Sequence, residues 1–165
     1  MQFSGSAFWS ARSADRPVHT IPDTDDDGIA FFERHWTKLR GDRQMPTPEE
    51  IDPMDFPRFL PCVFLLDGTT LDRLVVRLAG TFYRELYGIE ITGHRVADLI
   101  PFDRTPDILD EYRTCLERGR LVYHSGQVTW RSRGSQLTFH RILMPFGRDG
   151  RVSRLMGFAE FKYLA

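Results

Sequence analysis

The side chains best equipped for chemistry are scattered along this chain rather than clustered. His19, His35, His94, His124 and His140 stand singly. None has the paired spacing that lets imidazoles share a metal ion, so each reads as a surface or capping histidine. Cys62 and Cys115 are too few and too far apart for a metal cluster or a disulfide framework, and no CxxC occurs. They read as reduced thiols. No GxSxG, HExxH or Walker sequence sets a nucleophile beside a base or cradles a phosphate, which favours binding over catalysis. The polar residue whose position demands a partner is Arg141. It alternates onto the face of Phe139 and Leu143, and a guanidinium buried there needs a carboxylate or phosphate. A ligand acid, Asp98 or Asp103 would serve, whereas a β-bulge would turn the side chain outward.

The elements that position these residues follow from periodicity. In the run from Arg73 to Gly80, period two puts Leu74, Val76 and Leu78 on one face, read as the core face, with Val75 and Arg77 opposite. Val128 and Trp130 share a face, as do Leu137, Phe139 and Leu143, with His140, Ile142 and Met144 on the other side. Arg148-Asp149-Gly150-Arg151 is a tight hairpin signal, since Asp-Gly accepts the positive φ of a primed turn. Ile108, Leu109, Tyr112 and Leu116 recur at helical spacing, and Gly119 supplies a left-handed cap. Upstream, Ile29, Phe32, Trp36 and Leu39 form the apolar stripe of a helix stopped at Gly41, with Asp25 to Asp27 at its N-cap and first turn. That stripe either covers its own sheet or pairs with a second copy, which makes these four residues the candidate dimer element. Pro46, Pro48, Pro53, Pro57 and Pro61 make the following segment an extended crossing or a set of short turns.

At 165 residues the chain suits one domain with an appended element. The expected divisions are a loose polar arm over 1–27, a flanking helix and Pro-rich connector over 28–60, and a core domain over 61–165. The N-terminus lacks the basic start and apolar run of a signal peptide, and no stretch of apolar residues is long enough to span a bilayer. A cytoplasmic protein with no membrane contact is the expectation. The net charge of −1 hides an asymmetry: residues 1–111 carry a net −8 and residues 112–165 a net +7. The two halves are suited to attract each other or a partner. Nucleic acid is not expected as that partner, because no helix-turn-helix pattern or aromatic-interleaved basic run occurs.

Several motifs together carry a family resemblance. A strand ending at Gly80 leads into a helix with Leu86-Tyr87-Gly88, then a turn at Gly93, then Leu99-Ile100-Pro101, with three strand-like runs behind. In this order the chain resembles a PAS domain. Trp36, Gly41, Met45-Pro46 and Ile51-Asp52-Pro53 are similar to the opening of a subgroup of small alphaproteobacterial PAS proteins, and the resemblance runs from about Phe31 to Phe161. It implies an α+β fold, with a five-stranded antiparallel sheet, short helices on one face and an N-terminal flanking helix. It also implies a sensory or protein-interaction module of bacterial signalling, acting through a homodimer or a signalling partner, with no output domain in the chain. PAS folds often bind small molecules between the inner sheet face and the short helices. Here that cavity would be lined by Leu78, Phe82, Tyr83, Leu86, Leu99, Tyr112, Trp130 and Phe139, with tyrosine hydroxyls and Arg141 as polar contacts. The same aromatics could instead fill the core completely. The cofactor stays unknown. The turn from Gly93 to Asp98 has no cysteine for a covalent flavin adduct, and residues 106–118 have no histidine for a haem iron, leaving His94, Cys115 and His124 without family support as ligands. Two alternatives stand beside the sensor: a structural adaptor with a solid core, and an isomerase-like enzyme on a similar curved sheet using Asp98, Asp103 and Tyr112.

Overall fold

A computed structural model describes residues 27–99, 105–130 and 135–163, with the side chains of 105–107, 128–130 and 135 outside that description. Residues 1–26 of the polar arm, Asp25 and Asp26 among them, and Ile100, Pro101 and Asp103 therefore lie outside the described residues. The fold is α+β. Helix α1 (Gly28–Arg40) is followed by three 3-10 turns at Pro48–Glu50, Pro53–Asp55 and Pro57–Cys62. Then come β1 (Val63–Asp67), β2 (Val75–Ala79), α2 (Thr81–Tyr87), α3 (Val96–Leu99), α4 (Thr105–Arg118), β3 (Val122–Trp130), β4 (Ser135–Arg148) and β5 (Arg151–Tyr163). The strands form one sheet in the order β2-β1-β5-β4-β3, antiparallel at every pairing.

Local chemistry sets the boundaries. The β4–β5 hairpin turns through Asp149 and Gly150, both at positive φ (54° and 76°), as the Asp-Gly pair requires. Gly119 ends α4 at φ 59° and donates its N–H to Cys115 O. The prolines break Met45–Pro61 into 3-10 turns, because each lacks the N–H a longer helix needs. The start of this connector is tied to the sheet, where Gly147 N donates to Pro46 O, and just beyond its end Gly80 N donates to Val63 O of β1. Gly80 must be glycine, since a Cβ there would collide with the Leu60 and Pro61 carbonyls. The outer edge of β2 is covered by the turn from Gly93 to Val96, which exchanges backbone hydrogen bonds with Leu74 and Val76.

Antiparallel register decides which side chains share a face. Phe64, Leu66, Val76, Phe139, Arg141, Leu143, Leu155, Ala159 and Phe161 look toward α2–α4. Leu65, Ile142, Met144, Met156, Phe158 and Glu160 look the other way. Leu78 departs from the period-two expectation. Leu65 pairs with Leu78 but Leu66 pairs with Val76, so Arg77 is an extra residue on β2. That bulge rotates Leu78 onto the opposite face, where it is 47 % exposed. It is not a lining residue of the inner face.

The second face is covered by α1. The Phe32 ring centre lies 4.7 Å from that of Phe158, tilted against it, and 5.2 Å from that of Phe56, edge-on. Trp36 Nε1 donates to Pro145 O at 2.8 Å. Phe32 and Trp36 are buried, with Ile29 and Leu39 half-buried against the same core. The stripe nominated for pairing with a second copy is thus occupied by the chain's own sheet, because that apolar face needs a cover. The oppositely charged halves also meet within the chain. Arg148 pairs with Glu49 at 2.7 Å, and Arg154 with Asp67 at 2.6 Å.

Candidate functional site

The inner face of the sheet carries a polar cluster set among rings. Arg141 stands on β4 beside His124 of β3, its direct cross-strand neighbour, and both point toward α4. Glu111 comes down from α4 between them. One carboxylate oxygen accepts from Arg141 Nη2 and the other meets the His124 ring. Arg141 Nη1 donates to Tyr112 Oη at 3.4 Å. Arg141 Nε is buried and has no acceptor among the described residues. The guanidinium carbon lies 5.1 Å from the Tyr112 ring centre and 5.8 Å from that of Phe139, close enough for cation–π attraction. Burial alone would lower the Arg141 pKa, but the Tyr112 and Glu111 oxygens outweigh it and hold the group above its ordinary value. The side chain is 10 % exposed, so its charge depends on these partners.

Aromatic rings continue the surface away from Arg141. Phe139 lies 6.1 Å from Phe161, Phe161 lies 4.7 Å from Phe82, and Phe64 meets Tyr83 edge-on at 5.4 Å. Gly157 makes room for the Phe64 ring, which a Cβ would strike. Tyr83 Oη donates to Cys62 O at 2.8 Å and thereby pins α2 to the start of β1. Burial pushes the phenols of Tyr83, Tyr87 and Tyr112 upward. It pushes the thiols of Cys62 and Cys115 up to about 12. A Cys115 held as the thiol and bonded to Arg120 O does not suit a thiolate ligand to haem iron. Among the described residues, no group of three His, Cys, Asp or Glu side chains could hold a metal ion.

Of the residues nominated from sequence, Phe82, Tyr83, Leu86, Leu99 and Tyr112 are buried on the inner side, with Phe139 and Arg141 half-buried beside them. Leu78 is on the other face, and the Trp130 side chain lies outside the described residues. Asp98 does not serve Arg141: it pairs with Arg95 at 3.0 Å. Glu111 was the missed partner. A signal for it exists, since Glu111 lies three residues after Ile108 and four before Cys115, inside the buried stripe of α4, where a carboxylate needs a cation.

A second polar feature lies on the outer face. Glu160 is 6 % exposed, and its Oε1 accepts from Ile29 N at 3.2 Å in the first turn of α1. Asp27, at the N-cap position, makes no side-chain cap and pairs with Arg58. A strand carboxylate therefore caps the flanking helix. Burial pushes the Glu160 carboxyl up, partly offset by the Ile29 and Gly28 N–H groups. Its neighbours on β5, Ala159 and Phe161, face inward, so one strand touches both the polar cluster's side and the helix.

The fold is an antiparallel sheet with α2–α4 on one face, and the family model for the PAS domain matches residues 26–160. The chain belongs to the PAS domain family. Among solved structures, VqmA bound to DPO is similar with a TM-score of 0.52 at 16% identity, covering 66% of this chain and 56% of that one. A single-substitution variant of RsLOV gives 0.49 at 22% identity, covering 67% and 64%. A PAS domain from Colwellia psychrerythraea gives 0.49 at 13% identity, covering 67% and 95%. The chain thus spans under two thirds of the length of VqmA and of RsLOV. No curated protein sequence matches. PAS domains are typical of sensory modules in signalling, and the described residues of this one include no helix long and apolar enough to cross a membrane.

Proposed function

We propose that this PAS protein is a sensory module of bacterial signalling that binds a small molecule on the inner face of its sheet and reports occupancy to a second copy of itself or to a signalling partner. The observation that carries the proposal is the Arg141–Glu111 pair, a buried polar cluster in an otherwise apolar, ring-lined region, with one guanidinium N–H lacking an acceptor among the described residues. Small-molecule sites have this composition: apolar walls and a few fixed polar groups that orient the ligand. Buried donors are almost always paired, so a leftover one marks a cluster that the described residues alone do not satisfy. Occupancy would act by population shift, favouring one arrangement of sheet and α1 over another. The reading is of a binding module rather than an enzyme. Trp36, Gly41, Met45-Pro46 and Ile51-Asp52-Pro53 carry the assignment to the alphaproteobacterial subgroup, and two free buried thiols suit the cytoplasm.

Native mass spectrometry of protein purified from a bacterial host, compared with the denatured mass, tests the proposal. A retained small molecule, lost in Arg141→Met, is the expected result. A bare mass that no added small molecule changes would replace the sensor with a solid-core adaptor.

A further inference from the structure

The two edges of the sheet differ in their cover. The outer edge of β2 is closed by the turn from Gly93 to Val96, whereas no backbone hydrogen bond from the described residues reaches the outer edge of β3. β3 is nine residues long and pairs with β4 from Val122–Leu143 to Trp130–Ser135 without a shift, so no bulge twists its free edge away. Val122–Trp130 also holds no proline and no Lys, Arg, Asp or Glu, the residues that usually guard such an edge. The charge stands at its ends. Arg118 and Arg120 precede the strand, both exposed, and Arg131 and Arg133 follow it in the sequence. Glu117 offsets one of these four charges, while Glu111 is taken by Arg141 and His124, and Glu33 bonds to Tyr123 on the outer face. We infer that β3 docks an extended segment of a partner protein as an added strand, and that this segment is uncharged in its middle and acidic at both ends. The backbone groups of β3 supply the affinity, and the arginines at the two ends supply the selection. A second copy of β3 suits the edge less well, because antiparallel pairing of the full strands would set arginines against arginines at both ends. The edge is separate from the inner face, so the inference does not rest on the small-molecule reading.

Two peptides test the surface directly, with a Thr-Val-Gln-Val-Thr-Val-Gln middle set between paired Asp residues or between paired Lys residues, titrated into the 15N-labelled full chain at pH 7.5. The readout is the alternate backbone amides of Val122–Trp130 that point away from β4, in their shifts and their exchange with solvent. The Asp-ended peptide should shift these amides, slow their exchange and bind at least tenfold more tightly than the Lys-ended one. Proline in place of its central Val removes a ladder N–H and should abolish the shifts. Arg118→Glu combined with Arg120→Glu should erase the preference for the Asp-ended peptide. Should that variant not fold, the comparison of the two peptides in the unsubstituted chain decides. Equal binding of the two peptides, shifts confined to other residues, or no binding would overturn the inference. So would edge amides already protected in the chain alone, with the copy number in native mass spectrometry then telling a second copy from the chain's own arm as the cover. A retained small molecule decides the sensor reading separately, so failure of one leaves the other standing.

Discussion

Arg141 and Glu111 illustrate how a buried charge is held only by its partner. Glu111→Ala would leave the guanidinium facing Tyr112 and two ring faces, and is expected to cost about 3 kcal/mol in urea unfolding. Arg141→Met combined with Glu111→Leu should recover most of that loss, because apolar groups of similar size need no countercharge. Equal losses in the single and double variants would mean that the pair contributes packing alone. Leu74 and Leu78 make a second residue-scale test, since period two places them on one face while the bulge at Arg77 separates them. Leu74 is fully buried, so Leu74→Ala should cost about 3 kcal/mol. Leu78→Ala should stay within about 0.5 kcal/mol. The sequence placed Arg141 on its face correctly, because alternation along a long central strand is robust. It could not place Leu78, because the extra residue is defined by pairing with β1, a contact remote in sequence. Glu111 was partly legible as a carboxylate in a buried stripe, but its two partners come from β3 and β4.

At the scale of elements, the informative junction is where β5 meets α1. Sequence periodicity located α1 through its apolar stripe and its stop at Gly41, but assigned the cap to neighbouring aspartates. Local sequence cannot reveal a cap supplied from the far end of the chain. The cap is Glu160, a carboxylate within the run Leu155–Phe161, and that interruption of an apolar strand is the only trace it leaves. Its pH behaviour has a definite sign. Burial raises the folded-state pKa, so the folded chain binds this proton more tightly than the unfolded chain does. The associated stability is fully present below the ordinary value of 4.5 and is lost as pH rises through the folded-state value. Glu160→Gln keeps an oxygen for Ile29 N without the buried charge. The variant should therefore unfold at a higher temperature than the parent at pH 7, with the difference shrinking as pH falls toward 4.5. A variant less stable than the parent at pH 7 would show instead that the ionised carboxylate and the helix N-terminus attract strongly enough to outweigh burial.

For the whole molecule, the question is whether α1 belongs to its own sheet or is shared between copies, and the two arrangements respond differently to one substitution. The ring of Trp36 is buried, and its Nε1 bonds to Pro145 O on β4. Trp36 and Phe32 close a face on which Ile142, Met144, Met156 and Phe158 would otherwise meet water. The ion pairs from Arg148 to Glu49 and from Arg154 to Asp67 tie the basic C-terminal strands to the acidic first half, so the charge asymmetry is spent in part within one chain. Trp36→Ala removes an indole and its hydrogen bond from a cover that the sheet cannot replace. Within one chain, the expected outcome is a loss of about 3 kcal/mol in unfolding and faster amide exchange throughout Gly28–Arg40, with the copy number in native mass spectrometry unchanged. If α1 were the seam between copies, the parent's unfolding midpoint would depend on protein concentration, and the same substitution would shift dimer to monomer and abolish that dependence. Since the stripe is already occupied by its own sheet, a drop in copy number on Trp36→Ala is the result that would refute this arrangement.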